Sequence, residues 1–181
     1  MQDIKLGKSG PLDLSAAPST VVCGILLAVA LGAAGYFWLH LSVFESVVGG
    51  LVAAFFHYDA DLWHQYGHAS AAAQTGHPMS GVRFWGVLSS SIYPPNEPEL
   101  PAEVHIQRAL GGPRYSLVMT LGAALLGGLV YITSSEVNWV VYIFIFFFLD
   151  NLLVFTLGAF LPLGFTDGST LLHWWPKRNQ K

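Results

Sequence analysis

The chain has 181 residues, of which 53% are hydrophobic, 14% aromatic and 10% charged, with a formal net charge of -3 and a mean hydropathy of +0.51. A water-soluble domain carries roughly 25% charged residues, so an ordinary solvated surface is excluded, and no basic patch is dense enough for nucleic acid. What remains is an all-α membrane protein with a single polytopic domain over residues 19–173 and short tails on either side. The one cysteine, Cys23, lies in an apolar run, which rules out an internal disulfide and describes a buried, inert thiol.

Residues 1–18 are polar, contain Pro11 and Pro18, and read as a tail or interfacial segment. The first apolar run, about 20–41, is too long for the h-region of a signal peptide, and no small-residue cleavage site ends it. A second span, about 43–73, exceeds the roughly 20 residues that cross the hydrocarbon, so its last turns should enter a polar cavity or the interface. Residues 74–108 break the pattern. Met79 to Tyr93 alternates imperfectly between apolar and polar side chains, which predicts one or two short strands at the membrane surface, followed by an extended loop at Pro94-Pro95-Asn96-Glu97-Pro98. Two more spans are predicted at about 109–132 and 138–163, and residues 174–181 form the second tail.

The basic residues test this four-span topology. Lys5, Lys8, Arg83, Arg108, Arg114, Lys177, Arg178 and Lys181 all fall on the side shared by both termini and the 74–108 segment, and the two opposite loops have none. The positive-inside rule places that side in the cytoplasm, with a bacterial or archaeal plasma membrane as the expected location. Trp174 and Trp175, followed by Lys177 and Arg178, read as an interfacial belt with its basic anchor.

At about 100° per residue, His57, Asp61, His64 and His68 fall in a narrow arc of the second span. Ionisable side chains are expensive in lipid and mark a functional interior. An interhelical hydrogen-bond network would account for a lone histidine, but four aligned groups, two of them in H-x-x-x-H spacing, favour a metal. Neutral imidazoles suit zinc, and a carboxylate completes a three-ligand site that keeps a position for water. Asp167, after Pro162 and before the pliant Gly168, is the best third ligand. Asp61 could orient an imidazole or itself bind the metal. Asp150 is expected to face the bundle interior, bonded to a histidine or otherwise to the second span, either in service of the site or as a structural polar pair. A competing reading places haem between His40 and His57. A transporter would call for repeats or paired broken helices, and the sequence has neither.

These residues resemble the site-2 proteases, intramembrane zinc metalloproteases. His64-Gln65-Tyr66-Gly67-His68-Ala69, with Ala72 beyond it, is similar to the family's H-E-x-G-H pattern, and Leu110-Gly111-Gly112-Pro113 resembles the entry to its middle core helix. Phe160-Leu161-Pro162 before Asp167-Gly168 resembles its N-x-x-P-x-x-x-x-D-G element. The resemblance covers about residues 50–173. It implies a three-helix catalytic core, Zn2+ held by His64, His68 and Asp167, and a transmembrane helix of a protein substrate as partner. It also implies that strands of the 74–108 segment present the unwound substrate, with Val82, Phe84 and Trp85 as the candidate presenting residues and His57, Asp61 and Asp150 as candidate supports of the site.

Two positions depart from the pattern: Ala159 replaces an asparagine, and Gln65 replaces the glutamate that serves as general base. An amide has no useful basicity near neutral pH, and base catalysis is typically worth about 10²–10⁴-fold, so activity should be strongly impaired while zinc binding persists. Three explanations stay open: an engineered knock-out that traps substrate, a natural pseudoprotease that binds membrane helices without cutting them, or proton transfer by another carboxylate, with Asp61 the nearest.

Overall fold

A computed structural model of the chain describes residues 2–179, so Lys181 lies outside the described residues. In chain order the elements are β1 (Ile4–Ser9), β2 (Leu12–Ala16), α1 (Pro18–Trp38), α2 (Val43–Gln74), β3 (Gly81–Trp85), β4 (Leu88–Ile92), α3 (Ala102–Ser134), α4 (Trp139–Asp150) and α5 (Asp167–Trp174). The α4 path continues through a π-helical segment, Asn151–Leu157, and a 3₁₀ turn, Gly158–Phe160.

Among the described residues, three helices are long and apolar enough to cross a membrane: α1, α3, and the stretch Trp139–Phe160 that contains α4. Apolar composition rather than amphipathic patterning marks them. In α1 only Gly35 is buried, and Val21, Val22, Ile25, Leu26 and Val29 are all exposed, as lipid-facing side chains would be. The polar stripe of α2 is buried instead, with His57, Asp61, His64, Gln65 and His68 all inside the bundle.

Local chemistry sets the helix ends. Ser42 and Glu45 form a reciprocal capping box that starts α2. Asn138 caps α4, its Oδ1 accepting from the backbone amides of Val140 at 3.0 Å and Val141 at 3.2 Å. Small residues set how closely the helices approach. A Cβ on Gly50 would run into the Gly32 backbone of α1 at 2.7–2.9 Å, so α1 and α2 pack main chain to main chain there.

Residues 4–16, expected as part of a polar tail, instead form the β1–β2 hairpin. The sheet order is β1-β2-β3-β4, with β2 parallel to β3 and the other pairs antiparallel. The connection between β2 and β3 is the whole of α1 and α2. One apolar layer lies under this sheet: Leu12 and Ala16 from the hairpin, Val82 and Phe84 from β3, and Ala72 and Met79 at and just beyond the end of α2. Ser9 also hydrogen-bonds Tyr66 of α2. The hairpin is thus part of the folded body. Truncating Leu12, only 3% exposed, to alanine should cost about 2–5 kcal/mol, read as a lower unfolding temperature in detergent with no loss of α-helical signal in the native state.

Candidate metal centre

The long helix α2 carries His64 and His68 one turn apart on its buried face. Their Nε2 atoms are 3.0 Å apart. Asp167, the first residue of α5, completes the group: its Oδ2 lies 3.2 Å from His64 Nε2 and its Oδ1 lies 3.3 Å from His68 Nε2. The turn before α5 aims that carboxylate. Gly164 adopts a φ of 90°, its N–H donates to Ser169 Oγ at 2.7 Å, and Thr166 Oγ1 bonds the Leu161 carbonyl. Gly168 packs so closely on the Phe160 carbonyl that no Cβ would fit.

The donor set fits a cation. His68 Nδ1 is 2.7 Å from the Arg108 carbonyl oxygen, which can only accept, so Nδ1 carries the hydrogen and Nε2 keeps its lone pair. His64 Nδ1 meets Ser116 Oγ at 2.9 Å, and with the hydroxyl as acceptor Nε2 is free to coordinate. Two imidazole lone pairs and a carboxylate thus converge, with ligand atoms from all three within 4.8 Å of one another. A tetrahedral zinc with bonds of about 2.0–2.1 Å spaces its ligand atoms about 3.3 Å apart, and each imidazole Nε2 here lies 3.2–3.3 Å from one of the two Asp167 oxygens.

By sequence, the chain matches no protein-family model and no curated protein. By fold, it matches a structure described as "Site-2 Protease from Methanocaldococcus jannaschii", with a TM-score of 0.64 and 13% identity, over 99% of this chain and 74% of the other. The chain has the fold of a site-2 protease.

Within this site-2 protease fold the metal group opens into a cavity of about 680 Å³, bounded by α2, β4, the start of α3, the π segment and the turn before α5. Gln65, 5% exposed, accepts from Ser91 Oγ at 2.7 Å. Asp61, 2% exposed, accepts from Ser89 Oγ at 2.7 Å, and its other oxygen is buried without a partner. Asp61 therefore holds β4 rather than an imidazole. His57 meets both oxygens of Asp150 at 3.1 Å through Nδ1 and the Val87 carbonyl at 2.7 Å through Nε2. Both ring nitrogens are therefore engaged. Neither is left for haem iron, and His40 lies exposed in the α1–α2 connection.

Of the three residues expected to present substrate, Val82 and Phe84 are buried in the layer under the sheet, and β3 is an interior strand. Trp85 alone lines the cavity, where the strand at the open edge is β4. Sequence reasoning missed Ser116 and Arg108. No motif marks a serine in an apolar helix, and Arg108 serves His68 through its backbone carbonyl, which leaves no trace in residue type.

The Arg108 side chain has a separate task. Its guanidinium donates to Glu97 at 2.9 and 2.5 Å and to the His77 carbonyl at 2.6 Å, and it stacks over Tyr93, 4.0 Å from the ring centroid. It thereby pins the 93–101 loop to the mouth of the cavity. This pairing holds the Glu97 carboxyl below its ordinary value of 4.5. A depressed carboxyl stabilises the fold above its ordinary value, and that contribution is lost as pH falls through the folded-state value. Thermal melts of Glu97→Gln and the unchanged chain should therefore differ at neutral pH and converge on acidification below the carboxylate range.

Gly112 of α3 offers a sharper test, because a Cβ there would fall onto Nε2 of both His64 and His68. Gly112→Ala should abolish stoichiometric zinc binding, measured by elemental analysis of the purified protein. Gly122→Ala on the same helix, where a Cβ meets nothing within 4 Å, should leave it unchanged.

Proposed function

We propose that this chain is an intramembrane metalloprotease scaffold of site-2 protease type, which takes transmembrane segments of other proteins as substrates. The observation that carries this reading is the convergence of His64, His68 and Asp167 in a cavity inside an apolar helical bundle. The fold match and the residue patterns around His64 and Asp167 support it independently.

The strand pairing supports α2 as a fourth crossing. β2 precedes α1 and β3 follows α2, yet the two strands lie side by side in one sheet. The two helices between them must therefore return the chain to the face it left. If α1 crosses the membrane, α2 crosses back. The distribution of lysine and arginine supports a cytoplasmic side for the sheet and both termini, in a plasma membrane.

In this reading His64, His68 and Asp167 hold a zinc ion, Ser116 and the Arg108 carbonyl fix the imidazoles, and the bundle excludes bulk water. When bound, zinc supplies a Lewis acid that polarises a peptide carbonyl and acidifies water. A peptide emerging from a helix in lipid has unpaired backbone groups, and the open edge of β4 can take them up as an added strand. Gln65 can hydrogen-bond water but cannot accept its proton, so hydrolysis as written is strongly impaired. The same residue favours a second reading, a pseudoprotease that holds membrane helices without cutting them.

Gln65→Glu separates the two. In proteoliposomes with a model transmembrane substrate, the variant should cleave about 10²–10⁴-fold faster than the unchanged chain, with one zinc per chain in both and zinc lost in His64→Ala. A zinc-loaded Gln65→Glu that cuts nothing would leave the binder reading in possession.

A further inference from the structure

Three buried polar residues of α2 other than the histidine pair are bonded, in order, to β4 and the turn that leads into it. His57 bonds Val87 O at 2.7 Å, Asp61 bonds Ser89 Oγ at 2.7 Å, and Gln65 bonds Ser91 Oγ at 2.7 Å. The helix advances four residues per step and the strand two. Four helical residues rise about 6.0 Å and two strand residues about 6.6–6.8 Å, so over the two steps between the three pairs the mismatch is only about 1–2 Å. The match lets β4 lie along α2 in fixed register, as one rack against another. Tyr58 adds a bond from its hydroxyl to Gly86 O at 2.9 Å, and Asp150 holds His57 from behind.

The turn between β3 and β4 shows which backbone groups this arrangement leaves free. It has two residues, Gly86 and Val87, with Gly86 at a φ of 62°, and Trp85 is paired with Leu88. Counting from that closing pair, Leu88, Ser90 and Ile92 spend their backbone groups on β3, and Ser89 and Ser91 turn theirs to the open edge. Ile92 fits this count, since its carbonyl accepts from Ser80 N on the inner side at 2.8 Å. The two residues gripped by Asp61 and Gln65 through their hydroxyls are thus the two that offer unpaired N–H and C=O groups beside the metal centre.

We infer that Asp61, Ser89 and Ser91 are positioning residues: their side-chain bonds to the metal-bearing helix fix where β4 lies along it, and thereby which bond of a strand added to β4 comes to the metal centre. This rests on the proposed protease reading and deepens it. Gln65 acquires a role that an amide performs well, as an acceptor for Ser91, and a glutamate there would accept the same bond.

The test has two arms. The first needs neither metal nor catalysis. Hydrogen exchange of the 88–92 amides should be faster in Ser89→Ala and Ser91→Ala than in the unchanged chain, with exchange in α3 unaltered and Ser89→Thr restoring the rate. The second uses the Gln65→Glu chain and a model transmembrane substrate, with product ends mapped by mass spectrometry. Losing a hydrogen bond to a charged group should raise KM about tenfold for Ser89→Ala with kcat less affected, and the single cut should spread to neighbouring bonds. Ser89→Thr should restore both. Unchanged exchange, or an unchanged KM and cut site in Ser89→Ala, overturns the inference. If Gln65→Glu binds zinc and cuts nothing, the protease reading fails, and the exchange arm decides the strand lock alone.

Discussion

The site depends on one close crossing of backbones. Gly67 of α2 and Gly111 of α3 meet so tightly that a Cβ on either would strike the other's carbonyl oxygen. Gly112 sits directly beneath the two imidazoles. In a membrane, where helices gain no hydrophobic drive by leaving lipid for each other, small residues that let backbones touch are the main source of such contacts. The crossing also aligns α3 with its task. Arg108, Gly112 and Ser116 follow at intervals of four on one face: a carbonyl for His68, a void for both rings and a hydroxyl for His64. Widen the crossing by one side chain and all three contacts are lost together.

The buried polar groups of α2 follow a division of labour. His64 and His68 turn their Nε2 atoms inward to Asp167 and their Nδ1 atoms outward to α3. His57, Asp61 and Gln65 turn to the β3–β4 hairpin. Each group needs a partner, because an unsatisfied polar atom in this setting costs several kcal/mol. Two buried α2 side-chain atoms among the described residues lack a hydrogen-bond partner: Ser46 Oγ, and the free oxygen of Asp61 beside the cavity. A helix too polar to qualify as a span by composition is thus stable in the bundle because α3, α4 and the sheet absorb its polarity.

Much of this was legible in the sequence. The apolar runs located the helices, because lipid demands a long unbroken stretch of apolar side chains, and α2 extends over almost the residues expected of it. The spacing of His64 and His68 and the distant Asp167-Gly168 named the residues that the fold brings together. The β1–β2 hairpin was not legible. Its residues alternate weakly, with exposed lysines on β1, and its partner strand lies some 65 residues further on. Nor did the start of α3 at Ala102 announce itself, since its first turns are polar and sit beside the loop that Arg108 binds. The supports of the imidazoles, a backbone carbonyl and one serine, have no signature in residue type. Val82, Phe84 and Trp85 looked equivalent in sequence, and only strand order separates a buried interior strand from an open edge.

The parallel seam between β2 and β3 constrains the order of assembly. A ribosome delivers the amino-terminal hairpin first, but its seat on β3 does not exist until both intervening helices have been made. The nascent hairpin must therefore wait, its apolar face uncovered, until α1 and α2 are complete and β3 has followed them. Closing that seam is a long-range event, slow by its topology. Until it closes, the newborn chain is at its most exposed to self-association and to chaperones.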